Sequence, residues 1–155
     1  MDSRNNTKRI IKDYKAYQQQ AATLGMICKP QDDDITDWDC VIFGPEDTIW
    51  EGGVFKLKIK FPPNYPVEPP KVKFLTQMFH PNIYSSGEIC LDILEKDKWS
   101  SLYNPVSLLQ SLQSLLTDPN CTSPANKEAS GLYQADRVKY LKKVRECIEK
   151  SWIVS

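Results

Sequence analysis

The chain's single histidine, His80, stands ten residues before Cys90 in the stretch HPNIYSSGEICLDIL, residues 80–94. A cysteine and an imidazole in one short segment raise the question of nucleophilic catalysis, in which thiolate is the reacting species. A protease-type hydrolase needs the imidazole within hydrogen-bond reach of the sulfur, with a third group to orient it. His80 precedes Pro81 in a turn-like His-Pro-Asn, which fits a structural hydrogen-bonding position better than a general base. A thiol with no dedicated base still exchanges acyl groups with another thioester, because at a pKa near ~8.5 a small fraction is thiolate at neutral pH. An acyl-thioester carrier is chemically consistent with this scarcity of bases, and Cys90 lies within the long irregular segment, where a side chain can face solvent from a rigid frame.

The other cysteines read differently. Cys28 and Cys40 sit in strand patterns and Cys147 beside the apolar stripe of the last helix, positions where a thiol acts as a small hydrophobe. Cys121 falls in a polar loop and carries no evident role. Five cysteines at wide, irregular spacing suit reduced thiols in a cytosolic or nuclear protein rather than a disulfide framework. With one imidazole and no Cys-x-x-Cys pair, a metal site is not expected. No apolar run approaches the ~18 residues of a membrane span, and the start has no signal-peptide core.

Net charge is zero at pH 7, so the overall field argues neither for nor against nucleic acid. The distribution is uneven. Residues 31–51 carry Asp32, Asp33, Asp34, Asp37, Asp39, Glu46, Asp47 and Glu51 with no Lys or Arg. Arg4, Lys8, Arg9, Lys12 and Lys15 make the first segment basic, and Arg137, Lys139, Lys142, Lys143, Arg145 and Lys150 the last. Each basic cluster is either a solvated helix face or a docking site for an acidic protein.

The elements that must position Cys90 follow from periodicity. Ile10, Tyr14, Tyr17 and Ala21, joined by Ile11, predict an amphipathic first helix with its basic residues largely off the buried stripe. In VFKLKIKF (54–61) Phe55, Leu57, Ile59 and Phe61 alternate with lysines, so one strand face is buried and the other wet. WDCVIF (38–43), KVKFL (71–75) and a shorter stretch near 25–29 read as strands too. Short glycine- and proline-bearing turns between them predict a four-stranded antiparallel meander.

FPPNYPVEPP (61–70) holds five prolines and must be a stiff loop leaving the sheet. Regular signals then vanish from residue 75 for nearly thirty residues, a length of loop usually reserved for function. Asn104 and Pro105 read as N-cap and first turn of a helix with Leu108, Leu109, Leu112, Leu115 and Leu116 on one stripe, ended by Asp118-Pro119-Asn120. A third helix is expected from Ser123-Pro124, with Gly131 an internal weak point. A fourth is expected to bury Val138, Leu141, Val144, Ile148 and Trp152. The expected architecture is α+β, one domain over residues 1–155.

The chain resembles the ubiquitin-conjugating enzymes over nearly all its length. The matching motifs stand in family order: KRIIKDY (8–14), FGPEDTIWEGGVF (43–55), NYPVEPPKV (64–72), HPNIYSSGEICLDIL (80–94), Trp99, LLQSLQSLL (108–116), DPN (118–120) and SPAN (123–126). HPN followed by ICLDIL at this spacing, after YPxxPP, is the most specific of them. The finer match, KVKFLTQMFHPNIYSSGEICLDIL with SPAN and the terminal EKSW (149–152), looks most like the branch acting on chromatin and sliding-clamp substrates in DNA repair.

The resemblance implies that Cys90 takes ubiquitin's C-terminal carboxyl from an activating enzyme as a thioester, which a substrate or ubiquitin lysine then attacks, usually with a ligase, of RING type, holding the parts together. At pKa ~10.4 only about one lysine in 2,500 is neutral at pH 7, so a site that desolvates the amine and accepts its protons speeds that step. The resemblance places Asn82 as oxyanion donor or as a clamp on the active-site loop, Asp92 as a carboxylate orienting the lysine, and Ser123 at the acceptor gate. Ser123 also reads as an N-cap and, before Pro124, as a proline-directed phosphorylation site. Tyr84 contributes to the cleft or simply packs. Lys8, Arg9 and Lys12 match positions that meet the activating enzyme, and Val67, Ser101 and Leu102 those that meet ligases. Activator and ligase then compete for overlapping surface. No cofactor or metal is implied, nor direct contact with nucleic acid or membrane, and the expected location is cytoplasmic and nuclear. The alternatives are conjugation of another ubiquitin-like modifier and a non-catalytic ubiquitin-chain scaffold.

The chain also departs from the family pattern. Ser101 replaces a usual proline, one extra residue lies within Glu95–Lys98, Trp50 replaces a tyrosine, Val67 is not aromatic, and Ile27 stands where some members use serine to bind a second ubiquitin.

Overall fold

Residues 3–153 are described by a computed structural model. Helix α1 (Ser3–Gln20) runs through a short 3-10 turn into strand β1 (Met26–Gln31), followed by β2 (Asp34–Phe43), β3 (Val54–Lys60) and β4 (Lys71–Phe74). The strands form one antiparallel sheet in chain order, β1-β2-β3-β4. After a 3-10 turn at Asp92–Leu94 come α2 (Pro105–Thr117), α3 (Lys127–Ala135) and α4 (Arg137–Ile153). This is the expected α+β meander with an N-terminal helix and three C-terminal ones.

The strand alternation decides the layers. Met26 and Cys28, Trp38, Cys40 and Ile42, Phe55, Leu57 and Ile59, and Val72 and Phe74 are buried on one face of the sheet. Lys58 on the other face pairs with Asp37 at 3.1 Å and Asp39 at 2.7 Å. Leu108, Leu109, Leu112 and Leu116 bring α2 into the same core. Its start is fixed as the sequence predicts: the Asn104 side chain accepts the Ser107 N–H at 3.0 Å, and Ser107 Oγ accepts the Asn104 N–H at 2.9 Å.

Four expectations need correction. First, β2 begins at Asp34 and pairs out to Gln31 across Pro30, so the first hairpin is longer than its apolar pattern. Second, Ile11 on α1 is exposed, while the polar Asn6 and Asp13 are buried because the fold supplies partners. Asn6 donates to the Pro62 carbonyl at 2.5 Å.

Third, α3 starts at Lys127 with Asn126, not Ser123, as its cap. The Asn126 side chain accepts the Ala129 N–H at 3.0 Å, and the Ala125 and Asn126 N–H groups are already given to Pro81 O at 2.8 and 3.0 Å. Fourth, α4 buries Tyr140, Val144, Cys147, Ile148 and Ser151, while Val138 is 79% and Trp152 60% exposed. Ser151 faces inward because its hydroxyl accepts the Val54 N–H at 3.1 Å. Trp152 lies outside, where its indole N–H reaches Gly52 O at 2.7 Å.

Candidate active site

The segment after β4 is less irregular than its sequence suggests. Residues 83–89 form a small hairpin, with Tyr84 N–H to Glu88 O at 2.9 Å and a bridge between Ile83 and Ile89. It is laid against β4 by the Phe74 N–H to Gly87 O bond at 2.9 Å and the Lys73–Glu88 bridge. Gly87 has φ +94°, and a Cβ there would stand 2.0 Å from Phe74 O. Gly87→Ala is expected to cost about 2 kcal/mol or more, read as a fall in the urea midpoint, because the hairpin must lift from the strand to admit the methyl.

Cys90 follows this hairpin. Its N–H donates to Asn82 O at 2.8 Å, and its sulfur, only partly buried, lies 3.9 Å from Ser123 O. Cys28, Cys40 and Cys147 are buried. The Cys40 thiol is pushed up by its hydrogen bond with Cys28 and by burial, and burial likewise raises Cys147. They are core residues, as their strand and helix patterns imply. Cys121 is partly buried in the loop after α2.

His80 is completely buried. Its Nε2 lies 2.7 Å from Leu115 O, and its Nδ1 accepts the Asn82 N–H at 2.9 Å. A carbonyl only accepts and an amide only donates, so the proton sits on Nε2 and the ring is neutral. Burial lowers its pKa to about 4 against the opposing pull of the Leu115 and Leu116 carbonyls. With both nitrogens engaged in the frame, the ring is not a base for Cys90.

The depressed pKa also sets a pH dependence. The unfolded state binds a proton near pH 6.5 that the folded state refuses until about 4. The stability from neutral His80 is present above about pH 6.5 and lost as pH falls towards 4, on the order of 3 kcal/mol. Urea midpoints measured from pH 7 to 4 are expected to fall across that window.

Asn82, 1% exposed, joins the two active-site loops. Its Nδ2 donates to Asn120 O at 2.6 Å and its Oδ1 accepts the Asn120 N–H at 2.8 Å. Together with the two bonds to Pro81 O, this pins residues 120–126 beside Cys90. Ser123 is an exposed residue of that pinned loop, and its carbonyl is the atom that meets the sulfur. Asp92 is exposed at the start of the 3-10 turn two residues beyond Cys90. Tyr84 is 46% exposed at the hairpin's edge.

The partner-facing residues divide. Lys8 and Lys12 are exposed on α1, and Val67 (71%) and Leu102 (87%) project from their loops with Ser101 exposed beside Leu102. Arg9 departs from that set. Its guanidinium is turned into the molecule, onto Asp13 and the carbonyls of Ser101 and Tyr103. The hold of the Asn82 side chain on the Asn120 backbone and the Arg9–Asp13 side-chain pair are partnerships that motif order did not reveal. Only the i,i+4 spacing of Arg9 and Asp13 hinted at the second.

Fold and site define a class: a partly exposed thiol on a braced frame, with the sole imidazole withdrawn into the core, suited to acyl exchange rather than base-assisted hydrolysis. The model of the family described as "Ubiquitin-conjugating enzyme" matches residues 9–148. The chain is 50% identical over 145 residues to ubiquitin-conjugating enzyme E2 2 of Debaryomyces hansenii, covering 94% of this chain and 85% of that one. It is 49% identical to the proteins of that description from Aspergillus fumigatus (94% and 95% covered) and Candida albicans (94% and 80%). The chain belongs to the ubiquitin-conjugating enzyme family. It is accordingly a transferase of ubiquitin conjugation that works with ubiquitin, an activating enzyme and ligases. Among the described residues no helix is long and apolar enough to cross a membrane.

Proposed function

We propose that Cys90 is the residue that carries ubiquitin, in a single catalytic domain spanning residues 1–155. The observation behind this is the contrast in the site: Cys90 is accessible beside the pinned 120–126 loop, while the imidazole is locked away. In the first step Cys90 thiolate attacks the activating enzyme's thioester; the new sulfur–carbonyl bond forms and the activating enzyme's thiolate leaves. In the second a neutral lysine amine attacks the carbonyl, an isopeptide bond forms, and the Cys90 thiolate leaves and is reprotonated. Each step exchanges one acyl bond for another, so ATP is needed only to charge the activating enzyme.

Asn82 holds the two loops that flank the reacting carbonyl, and Asp92, exposed just beyond Cys90, offers an acceptor for the lysine's protons. Ser123 stands at the mouth of the site, on the lysine's approach. Lys8 and Lys12 meet the activating enzyme. Val67, Leu102 and the adjoining Ser101 meet a ligase of RING type. The motifs through 71–94, SPAN and EKSW support the reading that the chain acts with the branch that modifies chromatin and sliding-clamp proteins in DNA repair, in cytoplasm and nucleus. The test incubates the purified chain with activating enzyme, ATP and ubiquitin. A reductant-sensitive adduct one ubiquitin heavier is expected. Failure to charge with ubiquitin, but charging with another ubiquitin-like modifier, would overturn the choice of cargo.

A further inference from the structure

Arg9 sits between two lysines that face solvent, yet its own side chain is only 20% exposed. Its Nε donates to both Asp13 oxygens, at 2.9 and 3.0 Å. Nη1 donates to Ser101 O at 2.8 Å and Nη2 to Tyr103 O at 2.7 Å. Asp13 is held in turn by the Tyr65 hydroxyl, which donates to Oδ2 at 2.7 Å, and the guanidinium stands 5.3 Å from the Tyr65 ring centre. One planar fork thus grips the carbonyls on either side of Leu102, the most exposed large apolar residue described.

We propose that Arg9 is a positioning residue for the ligase-dependent step: its fork on the Ser101 and Tyr103 carbonyls sets the loop that presents Leu102, which with Val67 makes the proposed ligase contact. This rests on the reading that ligases dock at those two side chains. Beyond the fork, the Tyr103 ring packs edge-on against Trp99 at 5.5 Å between ring centres, and the loop's own remaining ties are short-range. Within it, Tyr103 N–H reaches Ser100 O at 3.0 Å and Leu102 N–H reaches Ser100 Oγ at 3.2 Å. Its flank is tied to the proline loop by Trp99 Nε1 to Pro66 O at 2.8 Å and by Lys96 to Glu68 at 2.6 Å. Those bonds fix where the loop starts; the Arg9 fork fixes where Leu102 points. Serine at 101 leaves the backbone there free to turn, so the constraint comes from across the fold rather than from the local ring a proline would supply.

A lysine at position 9 keeps the charge but is a point donor unable to hold two carbonyls and a carboxylate together. The experiment compares wild type, Arg9→Lys and Leu102→Ala in three assays. These are charging by the activating enzyme, lysine discharge without a ligase, and discharge titrated with a RING domain chosen because it accelerates the wild type.

Arg9→Lys is expected to raise the half-saturating RING concentration about tenfold, the effect of losing one charge-assisted hydrogen bond. The plateau rate, charging and unassisted discharge are expected to stay at wild-type values. Hydrogen exchange at the Leu102 and Tyr103 amides rises in parallel. An unchanged half-saturation, with Leu102→Ala impaired, overturns the proposal. Loss of charging equal to the loss of RING response overturns it too, making Arg9 a contact of the activating enzyme. A Leu102→Ala protein that titrates like wild type removes the docking reading and the proposal together. Should Arg9→Lys lose cooperative unfolding, Asp13→Asn, which frees the fork's anchor, takes its place with the same expected split and the same overturning result.

Discussion

Cys90→Ala is expected to abolish formation of the ubiquitin adduct, and Cys90→Ser to give an adduct that survives reductant. The serine hydroxyl is a far poorer nucleophile than a thiolate, so the ester forms slowly; once formed, the oxygen ester is not exchanged by thiols. A chain with Cys28, Cys40, Cys121 and Cys147 all changed to alanine is expected to charge normally, at some loss of stability, because three of those thiols fill the core. The hydrogen bond with Cys28 and burial raise the Cys40 thiol, and burial raises Cys147, so both stay protonated and out of reach, whereas Cys90 is only partly buried beside the 120–126 loop. Reductant-sensitive charging that persists in Cys90→Ala sinks the assignment. Adduct formation resolved on gels with and without reductant decides the matter.

Asn82→Ala is expected to slow lysine discharge by about 10- to 100-fold, somewhat below the loss of a full oxyanion donor, while charging continues. The reason lies in the paired bonds to Asn120: truncation strips both the N–H and the C=O of that residue of their partners and releases the 120–126 loop from Cys90. About 1 kcal/mol of stability is expected to go with it, since Asn82 is buried but Asn120 is exposed and water can replace part of what its backbone loses. Hydrogen exchange separates the two roles the family resemblance allows. Faster exchange at Asn120 and Thr122 together with slow discharge marks a clamp; slow discharge with unchanged exchange marks an oxyanion donor. Asn82→Asp sharpens the test. It keeps an acceptor for the Asn120 N–H but sets a carboxylate oxygen against the Asn120 carbonyl, so a clamp is hurt at least as badly as by alanine. Equal loss of charging and discharge in both variants would point to unfolding and defeat the assignment of Asn82 to the second step.

Much of the architecture was legible because its causes are local. The lysine–apolar alternation of 54–60 carries β3 and its buried face in a period of two, and Asn104-Pro105 starts α2 through bonds that span three residues. The same local logic misplaced the start of α3. Ser123-Pro124 has the chemistry of a helix start, but Pro81, far away in sequence, takes the N–H groups of Ala125 and Asn126 and delays the helix to Lys127. It misread α4 as well, where an apolar stripe through Val138 and Trp152 gave way to one that buries Ser151 against Val54.

Motif order carried the family and local periodicity the α+β order of elements, because each is written in residues close together along the chain; motif order also marked out Cys90 as the proposed ubiquitin carrier. Tertiary structure alone decided that His80 is a neutral strut, that Asn82 grips a loop 38 residues on, and that Arg9 faces inward to hold one 92 residues on. Residue type states what a side chain is able to donate or accept. Which distant backbone stands within 3 Å of it depends on how sheet and helices pack, and no local period encodes that.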